Sequence, residues 1–405
     1  MSRAKLRLGV LTSLFPSQAR PSEGIFAERR WLHMRARGHA VRIVRPIPST
    51  PALARVLSGV LSKPEWRAYV DFPGGERRRG LEIAYPRYAH RPWDQIASAR
   101  SFARTGLSTL LGGHGAFAAA PLDAVVCDYA WPAAAAAPLL AELGVPCVIS
   151  GRGSDVIQVA EDARLRAALA DGLAAAGHWC AVSRDLVARM DALGGMPGRG
   201  VLVENGIERE LFHPAERAAA RAELGLAASA PLVLVVGHLI ERKDPLLALE
   251  AFRESGVADA RLVYIGAGEL RGALLARIET LGLAARVQVL EPLEPELLAR
   301  WYAACDALLL CSSREGRPNV VIEALACGRA VLATAVGGTG ELLESLPQCL
   351  CASRDARELG RRLAALLAAP PAPEACAAAV AHLSWDHSSA ALEACIAACV
   401  GAARR

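Results

Sequence analysis

Residues 311–328 read Cys311-Ser-Ser-Arg-Glu-Gly-Arg-Pro-Asn-Val-Val-Ile-Glu-Ala-Leu-Ala-Cys-Gly328, directly after the apolar run Ala307–Leu310. An uninterrupted apolar run bounded by turn residues predicts a strand buried on both faces. Pro318 fits the first turn of a helix over Val320–Ala326, and Gly328 is its stop. The loop therefore leaves a strand's carboxyl end, where open α/β sheets bind ligands. The helix N-terminus offers N–H groups and a positive dipole end to an anion. Glu315 lies in the loop, and Glu323 faces back from the second helical turn. Two carboxylates repel phosphate but accept hydrogen bonds from hydroxyls beside it, such as those of ribose or a sugar. The bland alternative is a capping glutamate and an exposed helical one.

The same grammar occurs upstream. Leu232–Val236 runs into Gly237-His-Leu-Ile-Glu-Arg-Lys-Asp-Pro245, with Asp244 as an N-cap and Pro245 at the first helical position. Arg242 and Lys243 then stand at a helix start, a poor place for cations unless an anion joins them. Lys243 is one of three lysines beside 43 arginines, which suggests a compact point charge at this position. Further strands are predicted at Leu262–Ile265, Val287–Leu290 and Val331–Ala333. The first half repeats the pattern with strands at Leu6–Leu11, Val41–Val44, Ala124–Cys127, Cys147–Ser150, Trp179–Val182 and Val201–Val203. Helices are predicted between them at Ile25–Arg37, Ala133–Leu143, Arg164–Ala176 and Asp185–Leu193. Strands alternating with helices predict an α/β fold of two Rossmann-like parallel-sheet domains facing across a cleft. Turn signals at Asn205-Gly206 and His213-Pro214 put the boundary within Asn205–Pro231. Residues 46–115 carry nine arginines and read as irregular loops or short helices. Within them, Arg77-Arg78-Arg79 is either a solvated loop or a contact for an anionic acceptor or lipid headgroup.

Composition narrows the class. The chain has 405 residues, 53% hydrophobic and 21% charged, which excludes a disordered or collagen-like protein. No run reaches the roughly 18–20 apolar residues of a membrane span, and no apolar h-region follows Met1–Arg7, so a cytoplasmic location is expected. Eleven cysteines without a CxxC or Cys/His cluster read as buried thiols. No Asp-x-Asp and no metal-ligand spacing occurs, so neither a metal nor another cofactor is expected. The net charge of +5 divides into +10 over residues 1–200 and −5 over residues 201–405. A basic first half suits an anionic ligand or a membrane surface. Without a basic-aromatic stripe, nucleic acid is not expected as a partner. Gly266-Ala-Gly268 is an incomplete dinucleotide fingerprint, because Arg271 breaks it, and reads as a tight strand–helix turn.

Gly237-His-Leu-(x)3-Lys243, followed by Glu315-(x)7-Glu323 around Pro318-Asn319, resembles the retaining nucleotide-sugar glycosyltransferases of family 4, which have the GT-B fold. Gly24-Ile-Phe, Arg152-Gly-Ser-Asp155, Ala181-Val-Ser183, Glu204-Asn-Gly-Ile207, Ala326-Cys-Gly328 and Gly337-Gly338 extend the resemblance over nearly the whole chain. The first two are most similar to bacterial polysaccharide or exopolysaccharide assembly enzymes. The resemblance implies an N-terminal acceptor domain (1–204) onto which residues 385–405 pack back, and a C-terminal donor domain (205–384). It implies transfer of a hexose-type sugar from a UDP- or GDP-sugar to a glycan or lipid-linked acceptor, without a metal. Glu323 matches the ribose-binding glutamate, Glu315 the residue beside the donor sugar, Lys243 the diphosphate lysine, and Gly24 the first-domain glycine near the phosphate. Gly237, Gly316, Arg317, Pro318, Asn319 and Val320 complete the implied donor set, with Arg242 aiding Lys243. His238 stands where many members have an arginine, and Arg152 where many have a histidine near the transferred sugar. Asp155 is the remaining polar candidate for catalysis there, or an N-cap. A nucleotide-sugar 2-epimerase and a non-catalytic nucleotide-sugar-binding protein are the rival readings.

Overall fold

The computed structural model describes residues 5–18, 20–21, 23–49, 72–112 and 121–403. They form two compact units, Met1–Gly206 with Trp385–Arg405, and Ile207–Ser384.

The strands of the first unit are β1 (Arg7–Thr12), β2 (Ala40–Val44), β3 (Ile47–Pro48), β4 (Gly75–Arg78), β5 (Leu81–Ala84), β6 (Arg87–Tyr88), β7 (Ala124–Asp128), β8 (Cys147–Gly151), β9 (Trp179–Ala181) and β10 (Gly200–Leu202). Eight of them form one sheet in the order β10-β9-β8-β7-β1-β2-β5-β4, parallel except for β4 against β5. β7 and β8 are buried at every position, as expected where helices cover both faces. The sheet order reverses between β1 and β7, so loops leaving their carboxyl ends frame a crevice.

The second unit holds β11 (Leu232–Val236), β12 (Arg261–Ile265), β13 (Val287–Leu290), β14 (Ala307–Leu310), β15 (Ala330–Thr334) and β16 (Leu350–Cys351). Their order, β13-β12-β11-β14-β15-β16, is all parallel, with its switch point between β11 and β14. Both units are thus Rossmann-like.

Three expectations change. Residues 95–111 form one helix, Gln95–Leu111, capped by the Asp94 side chain on the Ala97 N–H at 3.0 Å. Its buried face mixes Ser98, Ala99, Ala103 and Gly106 with Phe102, Leu107 and Leu110, so small residues hid the helical stripe. The Arg77-Arg78-Arg79 run is a β-hairpin edge. Arg79 and Gly80 form a two-residue turn with φ of 48° and 82°, positive at both positions as a type I′ turn requires. Arg78 pairs with Glu28, and cations on this edge strand discourage further pairing. Positions 50–71 and 113–115 of the stretch that the sequence leaves irregular lie outside the described residues. Ala133–Leu143 is not one helix: a 3-10 turn at Ala134–Ala136 separates Ala130–Ala133 from Ala137–Glu142, where Pro138 lacks an N–H to continue the ladder.

The last helix, Trp385–Ala403, joins the first unit's core through Leu392, Cys395, Ile396, Cys399 and Val400. Its Glu393 receives Arg37 Nε at 2.6 Å and His39 Nε2 at 2.9 Å. His39 Nδ1 accepts the Leu6 N–H at 3.2 Å, so the ring carries its proton on Nε2.

Candidate active site

In the second unit, the two loops at the switch point lock together. β11 ends at Val236, Gly237 follows it, and a 3-10 turn over Glu241–Lys243 delivers the chain to Asp244. Asp244 caps the helix Pro245–Glu254 by accepting the Leu247 N–H at 3.1 Å. The loop after β14 crosses beside this turn: the Ser313 N–H donates to the Arg242 carbonyl at 2.9 Å, and Arg242 returns a guanidinium bond to the Arg314 carbonyl at 3.1 Å.

Glu315 is the point where the two loops meet. Its Oε1 receives Lys243 Nζ and the Ser312 hydroxyl, each at 2.6 Å, and its Oε2 receives Arg242 at 3.3 Å. Burial opposes ionisation of Glu315, but the Lys243 ammonium, the Arg242 guanidinium and the Ser312 hydroxyl outweigh it and hold the carboxyl below its ordinary value. A further backbone approach fixes the loop. Gly337 (φ 50°) lies so near that a Cβ there would sit 1.8 Å from the Glu315 carbonyl oxygen, while the Gly338 N–H donates to the Gly316 carbonyl at 3.1 Å.

The following helix, Asn319–Ala326, starts after Pro318, which is its N-cap rather than a first-turn residue. Gly316, Arg317 and Pro318 are buried, and Asn319 and Val320 are half-buried at the helix start. Arg317 faces Glu341 at 3.6 Å. Glu323 is also buried and receives the Tyr302 hydroxyl at 2.9 Å. His238 is exposed at the loop after β11. The glycines of Gly266-Ala-Gly268 serve close backbone packing against that loop, since a Cβ at Gly266 would meet the Gly237 carbonyl oxygen at 2.0 Å.

Gly24, Arg152 and Asp155 belong to the first unit. Gly24 (φ 71°) precedes the helix Ile25–Ala36, and a Cβ there would lie 3.1 Å from the Leu14 carbonyl oxygen. Arg152 makes a bidentate pair with Asp128 at 2.9 and 3.0 Å and donates to the Asn205 side chain at 3.1 Å. Arg30 donates to the same Asn205 oxygen at 3.2 Å, and Trp31 Nε1 donates to Asp128 at 3.0 Å. Burial and the adjacent Arg152 cation pull Arg30 down to about 10. Asp155 accepts backbone N–H groups from Ala130, Arg152 and Gly153 at 2.6–3.1 Å. Burial pushes its carboxyl up to about 6 against the pull of those donors. Both side chains therefore brace the loops after β7 and β8. A cavity of about 810 Å³ opens beside them, lined from the segments after β1, β7 and β8 and by Gln95.

Ser312, Tyr302 and Asp128 escaped the sequence reading. Asp128 had a signal, a carboxylate closing an apolar strand at its carboxyl end. Tyr302 had none, since it occupies the buried face of an ordinary helix. Among the described residues no group of three His, Cys, Asp or Glu side chains could hold a metal ion, and no helix is long and apolar enough to cross a membrane.

Residues 26–206 match the glycosyl transferase 4-like domain family, and residues 216–382 match the glycosyl transferases group 1 family. The chain belongs to the family-4-type glycosyltransferases. The chain is 36% identical over 208 residues to D-inositol 3-phosphate glycosyltransferase of Mycolicibacterium paratuberculosis, a match covering 48% of the chain and 46% of that relative. The alignment thus spans about half the length of the curated relatives. Its fold is GT-B: sucrose-phosphate synthase from Thermosynechococcus elongatus superimposes with a TM-score of 0.75 at 19% identity, covering 95% of this chain and 97% of that one. HepE of Anabaena, solved with UDP-glucose, superimposes with a TM-score of 0.68 at 16% identity over 98% and 99% of the two chains.

Proposed function

We propose that this protein transfers a hexose-type sugar from a UDP- or GDP-sugar to a glycan or lipid-linked acceptor, with retention at the anomeric carbon, in cell-surface polysaccharide assembly. The observation that carries the reading is the convergence of Lys243 and Arg242 on Glu315 at the switch point of the second unit. Two cations held there by one carboxylate form a preorganised seat for a leaving diphosphate, and no metal is needed to neutralise it. Glu323, fixed by Tyr302, accepts the ribose hydroxyls. Glu315 accepts from the donor sugar. Gly237, His238, Gly316, Arg317, Pro318, Asn319 and Val320 shape the loops and helix start around the phosphates. In the reaction the bond from C1 to the diphosphate oxygen breaks, and the acceptor oxygen bonds to C1 on the same face. The acceptor's proton passes to the leaving phosphate oxygen, and Arg152 and Asp155 position loops rather than react. The UDP-glucose bound by HepE supports the donor class. The basic balance of the first half supports a peripheral contact with an anionic membrane.

The test is NMR of nucleotide sugars incubated with and without acceptor. A product keeping the donor's anomeric configuration supports the proposal, and an inverted product contradicts retention. Conversion of donor to its 2-epimer without acceptor identifies an epimerase instead, and absence of any donor turnover across the panel leaves only a binding protein.

A further inference from the structure

The cavity of about 810 Å³ belongs wholly to the first unit. It falls within the roughly 300–1,000 Å³ range of small-molecule sites, and it opens where the strand order reverses, the usual ligand position in such sheets. Tyr129 and Trp131 line it from the loop after β7, giving flat apolar faces. Gln95 and Gln158 contribute amides that both donate and accept, and Asp155, Glu161 and Asp162 contribute carboxylates. The Leu165 and Arg164 N–H groups, with smaller help from the Arg164 and Arg166 guanidiniums, hold Asp162 below its ordinary value, so it is charged at neutral pH. Among the described residues that line the cavity, none is Lys or Arg. Arg152, 5.9 Å from the Tyr129 ring, has its charge matched by the bidentate pair with Asp128.

A phosphorylated ligand entering this space would lose hydration with no Lys or Arg among the described lining residues to receive it, and would meet the carboxylates of Asp155, Glu161 and Asp162. A neutral polyhydroxylated ring would instead lay its C–H face on the aromatic side chains and exchange hydrogen bonds with amides and carboxylates. We infer that this cavity holds the acceptor as an uncharged sugar ring and rejects phosphorylated sugars. The inference rests on the transferase reading above, and it separates this chain's acceptor from the inositol phosphate in its relatives' name.

Saturation-transfer NMR on the full chain tests it with matched pairs, glucose against glucose 6-phosphate and myo-inositol against inositol 3-phosphate. The neutral member of each pair should bind about tenfold or more tightly than the charged one, a difference of about 1.4 kcal/mol. Trp131→Ala should lose the neutral-ligand signal. Glu161→Gln combined with Asp162→Asn, which retains a capping oxygen, should admit the phosphates and close most of the gap. Thermal unfolding of each variant separates lost binding from lost folding. Equal or tighter binding of the phosphorylated members overturns the inference, as does binding of neither class. A folded Trp131→Ala that binds neutral sugars normally overturns it too. Donor consumption in the same samples keeps the two readings apart. Neutral-sugar binding without donor turnover sinks the transferase and leaves the cavity assignment. Donor turnover with a phosphorylated acceptor preferred does the reverse.

Discussion

Lys243, Arg242, Ser312 and Glu315 act as one group, because each charge is tolerable only in the others' presence. Glu315 is 6% exposed, and such a carboxylate stays ionised only with partners at hydrogen-bond distance. Lys243→Ala therefore does more than remove a phosphate contact. It leaves Glu315 buried with a weaker cation set, and its carboxyl should rise toward the ordinary range. Loss of a charge-assisted bond costs about 1.5–3 kcal/mol, so nucleoside diphosphate affinity in Lys243→Ala should fall roughly 10- to 150-fold, as measured by calorimetry. Unchanged affinity would remove Lys243 from the diphosphate seat. Tyr302→Phe isolates the bond that orients Glu323. It should cost about 0.5–1.5 kcal/mol of stability in a denaturant titration, and folding as stable as the wild type would show the bond contributes little.

Among the elements, the helix Trp385–Ala403 is tied to the first unit by a charge pair that titrates. Arg37 and, after the opposing effect of burial, His39 hold the Glu393 carboxyl down to about 2 from an ordinary 4.5. A depressed acid stabilises the folded form above its unfolded pKa. That contribution is complete above about 4.5 and disappears as pH falls toward about 2. Amide exchange in this helix should accelerate across that window, and Glu393→Gln should flatten the dependence. Identical pH profiles in both proteins would mean the pair does not govern docking. The glycine at 337 makes a second element-scale prediction. Gly337→Ala places a Cβ against the Glu315 carbonyl at a positive φ, and such strain costs about 1–3 kcal/mol. Melting temperature and diphosphate affinity should fall together. The strands and most helices were legible because buried parallel strands read as continuous apolar runs between clear stops, as β11 and β14 do. The helix Gln95–Leu111 was not, since Ser, Ala and Gly on its buried face carry no hydrophobic contrast. At the site, Lys243 and Glu315 were legible as residue types at a strand's end. Their pairing was not, because 72 residues separate them and only the β11–β14 adjacency brings them together.

At the scale of the molecule, the positive balance of the first half is only partly a surface property. Arg29, Arg30, Arg42 and Arg45 are buried, Arg45 pairs with Glu23 at 2.8 Å, and Arg152 pairs with Asp128. Attraction to acidic liposomes should therefore be modest and should fade as screening shortens to about 8 Å at 0.15 M salt. Equal binding to neutral and acidic liposomes would remove the electrostatic account. Sugar transfer should survive EDTA, because Lys243 and Arg242 occupy the place of a metal's charge. Activity lost to EDTA and restored by Mg²⁺ or Mn²⁺ would contradict that. The central claim is that the switch point of the second unit holds a nucleoside diphosphate, with Glu323 on the ribose and Glu315 on the sugar. Its most direct test is calorimetric titration of UDP, GDP and ADP into the wild type, Glu323→Ala and Glu315→Ala, with the Gln variants beside them to separate charge from contact. The account predicts that one diphosphate binds the wild type. It also predicts that Glu323→Ala weakens that binding roughly 10- to 150-fold and that Glu315→Ala, which frees Lys243 and Arg242 from the carboxylate that holds them, abolishes most transfer. Full binding and activity in both Ala variants would contradict the account.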